Sequence, residues 1–105
     1  MDRKTRKVIA IAKQYIKELR KNKIHVTRAY LFGSYANGQP HKYSDIDLAI
    51  IFPQFTGVRF RDSAKIAQYC WNVDVRISPI GYHPKDFTMD YIIPHEAMTN
   101  GIRIA

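Results

Sequence analysis

The sequence predicts one small α/β domain over residues 1–105, and three observations support this fold class. An amphipathic helical segment comes first, short apolar runs with the alternation of β-strands follow it, and a second helical segment lies between two of these runs. A chain of 105 residues has the usual size of a domain with one hydrophobic core. No internal repeat, linker or low-complexity tract suggests a division.

Two segments have the apolar spacing of α-helices. In residues 5–21, Lys13, Lys17 and Arg20 fall opposite an apolar stripe. That stripe consists of Val8, Ile11, Ala12, Tyr15, Ile16 and Leu19. Residues 59–71 have a second stripe, which predicts a second helix. It consists of Phe60, Ala64, Ala67 and Trp71, with Ile66 and Cys70 alongside.

Three segments have the pattern of strands. Residues 26–32 are largely apolar and end at a glycine, residues 45–52 pass from alternating carboxylates to an apolar run, and residues 73–77 alternate apolar and polar side chains. We expect Pro79 and Gly81 to close the third strand. In the last quarter we expect short helical stretches at residues 86–91 and 95–99 and an edge strand at residues 102–104.

The net charge of +8 is concentrated near the start of the chain. Nine of the 17 Lys and Arg residues precede Ile24, against only Asp2 and Glu18. This asymmetry is typical of a surface for an acidic partner, either nucleic acid or an acidic protein face. A solvated helix face without a binding role has the same pattern, and both interpretations stay open.

Composition argues against several classes of protein. The longest apolar run, residues 46–52, contains Asp47 and is far shorter than the roughly 20 residues that cross a bilayer. The apolar stretch at residues 8–12 is too short for a signal peptide, so we expect a cytoplasmic protein without a membrane role. Cys70 has no second cysteine to form an internal disulfide, and the four histidines lack the spacing of zinc sites.

Asp45 and Asp47 are the first candidates for a catalytic site. Residues two apart on a strand point to the same face, so the two carboxylates project side by side while Ile46 and Leu48 anchor the other face. Such carboxylates repel each other unless a cation lies between them, and magnesium prefers hard oxygen ligands. Asp74 supplies a third carboxylate if its strand is a neighbour, which would complete a two-metal site.

Gly33 and Ser34 lie at a strand end about a dozen residues earlier. A glycine there lets backbone N–H groups approach a phosphate, Ser34 adds a hydroxyl, and a helix beginning at this point would favour the negative charge. Alone, a pair of aspartates on a strand is more typical of a solvated edge. The combination with Gly33, Ser34 and Asp74 favours a catalytic site.

The segment from Gly33 to Ile50, G-S-Y-A-N-G-Q-P-H-K-Y-S-D-I-D-L-A-I, resembles the signature of the polymerase-β-type nucleotidyltransferase superfamily, in its minimal single-domain branch. The later V-D-V at residues 73–75 resembles that family's third-carboxylate strand. The resemblance covers nearly the whole chain. It implies a small mixed β-sheet flanked by helices, which is the nucleotidyltransferase fold.

The resemblance also implies roles for individual residues. Gly33 and Ser34 would hold the triphosphate, and Asp45 and Asp47 would bind two magnesium ions. Asp74 would bind one of these ions and activate the hydroxyl of the acceptor. The substrate would be a nucleoside triphosphate, with ATP expected, and pyrophosphate would leave in line.

One position departs from the pattern, because Asn37 stands where many relatives have Arg or Lys. Lys42 or Arg76 could supply the missing cationic contact to the nucleotide. Arg76 shares the predicted strand face with Asp74, so it could equally pair with that carboxylate and position it.

The resemblance extends to the antitoxin half of toxin–antitoxin pairs, whose partner is a helical HEPN-type ribonuclease. We therefore expect transfer of AMP to a hydroxyl on a partner protein. The alternative is a non-catalytic module that keeps the fold and neutralises its partner by contact. Nucleic-acid tailing or antibiotic modification, as in larger relatives, is a third hypothesis, and the basic first helix leaves RNA contact open.

The aromatic side chains follow the apolar periodicity, so we expect them in the core rather than in a base-stacking platform. Tyr35 and Tyr43 are exceptions, because they flank the motif and could touch the nucleotide or the acceptor. The expected core set is Tyr15, Tyr30, Phe32, Phe52, Phe60, Tyr69 and Trp71.

Overall fold

A four-stranded mixed β-sheet with helices on both faces forms the fold, as predicted. The computed structural model describes residues 2–38, 45–54 and 59–105. In chain order, the elements are α1 (Arg3–Lys21), β1 (Arg28–Phe32), β2 (Ile46–Ile51), α2 (Arg59–Ala67), a 3-10 turn (Cys70–Asn72), β3 (Ile77–Tyr82), α3 (Ile92–Asn100) and β4 (Ile102–Arg103). Among the described residues, no helix is long and apolar enough to cross a membrane.

The sheet has the strand order β3-β2-β1-β4. β1 is antiparallel to both β2 and β4, whereas β2 and β3 are parallel. The central strand β2 is buried on both faces over residues 48–51, which explains its continuous apolar run. The predicted edge strand near the end of the chain is confirmed, because β4 lies at one edge beside β1.

The two faces of the sheet have separate cores. α1 and α2 cover one face, where Leu19, Leu31 and Leu48 belong to one apolar cluster. α3 covers the other face, where Ala49, Tyr82 and Ala97 belong to a second cluster. Neighbouring residues of β2 therefore enter different cores, because side chains alternate along a strand.

Helix α1 matches the predicted segment. Asp2 is its N-cap, and the Asp2 carboxylate accepts a hydrogen bond of 2.7 Å from the Thr5 N–H. The predicted stripe faces the core, with Thr5 in place of Ile11 among the fully buried residues. Tyr15 lies deepest, and its hydroxyl donates to the Ile66 carbonyl at 2.7 Å, which ties α1 to α2.

The predicted inner face of the second helix is wrong. α2 ends at Ala67, and its buried side chains recur every four residues as Asp62, Ile66 and, in the following turn, Cys70. Ile66 and Cys70, which were predicted beside the stripe, are buried, whereas Ala64 of the stripe is exposed and Trp71 is 79% exposed rather than part of the core. The charge of Asp62 concealed the true stripe. The side chain of Phe60 lies outside the described residues.

The predicted strand at residues 73–77 is also wrong, since β3 begins only at Ile77. Pro79 and Gly81 lie inside β3 instead of ending it. β3 is an edge strand, where a proline without an N–H is tolerated. At Gly81 a Cβ atom would lie 3.0 Å from the Phe52 ring, so close packing explains the glycine.

The last quarter of the chain contains one helix rather than two helical stretches. Residues 84–90 form turns, so the helical stretch predicted at residues 86–91 is wrong. α3 includes the stretch predicted at residues 95–99 and begins earlier, at Ile92.

Candidate functional site

Three strands place their ends at one edge of the sheet. Phe32, the last residue of β1, pairs with Asp47 near the start of β2. β2 and β3 are parallel and begin side by side, and the Ile46 N–H donates to the Arg76 carbonyl at 2.9 Å. The segment after β1, the start of β2 and the segment before β3 therefore meet. Each predicted carboxylate and the predicted glycine turn lie in this region.

Asp45 and Asp47 lie on either side of Ile46, whose side chain is fully buried in the core beneath α1 and α2. Asp45 is exposed, whereas Asp47 is partly buried. Burial and, to a smaller extent, the negative charge of Asp45 raise the pKa of Asp47 above its ordinary value. A cation at this position would offset both effects, so the two carboxylates form a fitting donor set for a divalent ion.

Gly33 packs directly against Asp47. Its φ of +77° lies in the left-handed region that favours glycine. A Cβ atom at this position would overlap Asp47 Oδ2 and lie 3.2 Å from Asp47 Cγ. Gly33 is therefore required for the position of the carboxylate as well as for the turn.

Residues 34–38 continue from Gly33 as turns rather than as a regular helix. One helical turn is present, because the Asn37 N–H donates to the Gly33 carbonyl at 3.0 Å. Ser34 is partly buried in this turn. Lys42 and Tyr43, which the sequence placed near the nucleotide, lie outside the described residues.

Asp74 lies in the turn before β3, not on a strand. Its Oδ1 atom accepts from the Arg76 backbone N–H at 2.9 Å and from Arg76 Nε at 3.1 Å. Its Oδ2 atom accepts from Arg76 Nη2 at 2.9 Å. Hydrogen bonding to Arg76 lowers the pKa of Asp74, and the same interaction raises the pKa of Arg76. The prediction that Asp74 and Arg76 share a strand face is therefore wrong. They lie in a local turn, in which the Asp74 carboxylate accepts a hydrogen bond from the Arg76 backbone N–H.

The third carboxylate does not join the other two in one cluster. Within residues 2–38, 45–54 and 59–105, no group of three or more His, Cys, Asp or Glu side chains is placed to hold a metal ion. Asp45 and Asp47 fit a divalent ion as a pair. Asp74 is engaged by Arg76 instead.

Two further residues lie near the site, Ser78, to which the sequence assigned no role, and Tyr35. Ser78 of β3 pairs with Asp47 across the parallel strands, so both side chains lie on the same face of the sheet, and Ser78 is exposed. Its place follows only from the true register of β3. The hydroxyl of Tyr35 lies near the Arg76 guanidinium and contributes to the raised pKa of Arg76. Tyr35 itself is buried, so it could touch a ligand only through its hydroxyl end.

The sheet, the paired aspartates and the glycine turn define a nucleotidyltransferase domain. The family model described as "Nucleotidyltransferase domain" matches residues 12–95, and the chain belongs to this family. No curated protein shows significant similarity to the sequence.

Solved structures share the fold. A crystal structure from Sulfolobus solfataricus, assigned as a nucleotidyltransferase, has a TM-score of 0.69 at 17% identity, over 94% of this chain and 80% of that one. A toxin–antitoxin structure with AMP-PNP has a TM-score of 0.63 at 23% identity, over 89% of this chain and 72% of that one. These two identities show the fold alone.

The toxin–antitoxin MntA–HpeT also resembles this chain. One variant structure, in which two aspartates two positions apart are replaced by glutamate, has a TM-score of 0.60 at 23% identity, over 88% of this chain and 70% of that one. A second variant structure has a TM-score of 0.57 at 26% identity, over 86% of this chain and 68% of that one. The predicted resemblance to minimal nucleotidyltransferases of toxin–antitoxin pairs is confirmed.

Proposed function

We propose that this nucleotidyltransferase domain transfers AMP from ATP to a hydroxyl group of a partner protein, with magnesium held by Asp45 and Asp47. One observation carries the proposal. Asp47 lies partly buried against Gly33, beside Asp45, where three strand ends meet. Two carboxylates on the same strand face repel each other, and a divalent cation removes that repulsion.

The chemistry follows from the roles of the residues around this pair. The turn after Gly33 offers backbone N–H groups and the Ser34 hydroxyl to the phosphates. Asp45 and Asp47 would hold the metal, which neutralises charge at the α-phosphate and lowers the pKa of the attacking hydroxyl. The bond from the acceptor oxygen to the α-phosphorus forms as the bond to the leaving pyrophosphate breaks. Asp74 would hold a second magnesium ion or accept the hydroxyl proton.

The comparisons support the choice of nucleotide and partner. One fold neighbour is a toxin–antitoxin structure with AMP-PNP, an analogue of ATP. Another carries replacements at two aspartates with the same spacing as Asp45 and Asp47. Both neighbours are toxin–antitoxin assemblies, which favours a protein acceptor. The helical HEPN-type partner and the cytoplasmic location are extensions of the same proposal.

The alternative, a non-catalytic module that acts by contact, has two observations in its favour. Arg76 engages both oxygen atoms of Asp74, and Asn37 supplies no positive charge to the triphosphate. The two functions differ in a measurable product, because only the enzyme attaches the nucleotide covalently.

The deciding experiment is a label-transfer assay with a candidate helical partner protein. ATP labelled at the α-phosphate and, separately, at the γ-phosphate is added with magnesium to the natural chain and to Asp45→Asn/Asp47→Asn. Nucleotidyl transfer predicts label on the partner only from the α-phosphate and only with the natural chain. Absence of label while the two proteins still form a complex supports the contact module. Label from the γ-phosphate contradicts both.

A further inference from the structure

Arg76 holds the third carboxylate of the site through both of its oxygen atoms. Nε of Arg76 lies 3.1 Å from Asp74 Oδ1, and Nη2 lies 2.9 Å from Oδ2. The Arg76 side chain is 43% exposed and the Asp74 side chain is 18% exposed, so the pair borders solvent. Guanidinium groups form the same bidentate contact with phosphates.

The two oxygen atoms of Asp74 are held differently. Oδ1 also accepts from the Arg76 backbone N–H at 2.9 Å, which fixes the turn before β3. Oδ2 contacts the Arg76 side chain. A change of rotamer at Arg76 would therefore release Oδ2 without undoing the turn. The turn can therefore stay intact while the Arg76 side chain moves.

The Arg76 side chain also lies close to the turn that follows Gly33. The hydroxyl of Tyr35, a buried residue of that turn, is near enough to affect the guanidinium. The Arg76 backbone carbonyl accepts from the N–H of Ile46, the residue between Asp45 and Asp47. Arg76 thus lies between the third carboxylate, the paired aspartates and the turn assigned to the triphosphate.

We propose, building on the proposed function, that Arg76 exchanges partners during substrate binding: it leaves Asp74 for the triphosphate while Asp74 turns to the metal. Arg76 then supplies the cationic contact that Asn37 lacks. Neither ligand completes this exchange alone. A cation alone must compete with Arg76 for Asp74, and a nucleotide alone would leave the Asp74 charge unpaired near the phosphates.

The exchange predicts opposite effects on the two ligands when Arg76 is replaced. Arg76→Gln removes the competitor for Asp74, so a divalent cation without nucleotide binds more tightly. The same change removes a charge-assisted contact to the triphosphate, so the nucleotide binds more weakly. A purely structural role would weaken both, because the site would lose its geometry for each ligand.

The test measures two affinities of each variant. Electron paramagnetic resonance gives the affinity for Mn²⁺ without nucleotide, and calorimetry gives the affinity for ATP in saturating Mg²⁺. We expect Arg76→Gln to bind Mn²⁺ about two- to fivefold more tightly, the range for a partly exposed ion pair. It should bind ATP about tenfold more weakly, as expected when a hydrogen bond between charged groups is lost. Arg76→Lys keeps the positive charge but cannot form the bidentate contact, so it should bind ATP more tightly than Arg76→Gln and more weakly than the natural chain.

Arg103→Gln is the matched control, because Arg103 is exposed in β4 at the opposite edge of the sheet from β3. It should leave both affinities unchanged, and circular dichroism should show that each variant is folded. Arg76→Gln affecting both ligands in the same direction, or neither, overturns the exchange alone. Absence of any binding by the natural chain overturns the proposed function and the exchange with it.

Discussion

Gly33→Ala and Gly38→Ala form a matched pair that separates backbone strain from damage to the site. Gly33 and Gly38 have φ values of +77° and +71°, so an alanine at either position costs about 1–2 kcal/mol in backbone strain. Their surroundings differ. Among the described residues, no atom lies within 4 Å of the added Cβ of Gly38→Ala, whereas the added Cβ of Gly33→Ala overlaps the Asp47 carboxylate.

The two variants should therefore have similar backbone strain but very different affinities for a cation. Gly38→Ala should lower the free energy of unfolding by about 1–2 kcal/mol and leave Mn²⁺ binding nearly unchanged. Gly33→Ala should lose at least as much stability and also bind Mn²⁺ about 10- to 100-fold more weakly, as when a supporting contact of a metal ligand is removed. Urea denaturation and Mn²⁺ titration measure the two quantities. Equal Mn²⁺ affinities in the two variants would refute the role assigned to Gly33.

Three further predictions concern stability. Tyr15→Phe removes the 2.7 Å hydrogen bond to the buried Ile66 carbonyl, which still accepts from the Tyr69 N–H at 3.2 Å, and urea denaturation should show a loss of about 0.5–1.5 kcal/mol. Gly101→Ala places a Cβ 2.7 Å from the Leu31 carbonyl oxygen, and this overpacking should cost about 1–3 kcal/mol; an unchanged Tm would contradict it. The cap hydrogen bond of Asp2 lowers its pKa below the ordinary 3.8, so this carboxylate stabilises the fold above that pH and loses its effect as pH falls through the lower folded value. Asp2→Ala should therefore lower the Tm at neutral pH, and the difference in Tm from the natural chain should shrink as the pH falls through the lowered pKa of Asp2.

Elements with a strong local pattern were predictable from the sequence. The apolar stripe of α1 recurs over about three turns, and the apolar run of β2 follows a polar end, so the predicted bounds of both segments agree with the structure to within two residues. Gly33 and Asp47 belong to one predicted motif, and their close approach at the sheet edge agrees with the strand pattern.

The start of β3 could not be read from alternation alone. Val73, Val75 and Ile77 alternate with polar residues as a strand would, yet the Asp74 carboxylate binds the Arg76 N–H and forms a turn. Pro79, which normally ends a strand, is tolerated because β3 lies at an edge. Both facts depend on the position of the segment in the sheet.

The buried face of α2 could be predicted only by knowing that Asp62 lies in the core. Asp62 is fully buried, and a carboxylate in the inner stripe conceals the helical pattern from an apolar count. The predicted stripe instead placed Trp71 in the core, although this side chain is 79% exposed. Its fluorescence should accordingly be that of a solvated indole.

Calorimetric titration of ATP in the presence of Mg²⁺ measures directly whether Asp45 and Asp47 hold a metal for a nucleoside triphosphate. The natural chain and Asp45→Asn/Asp47→Asn are compared, each with and without Mg²⁺. If the two carboxylates hold the metal, ATP binding by the natural chain requires Mg²⁺ and disappears in the double variant. Equal binding by both proteins, or no binding by the natural chain, would contradict it.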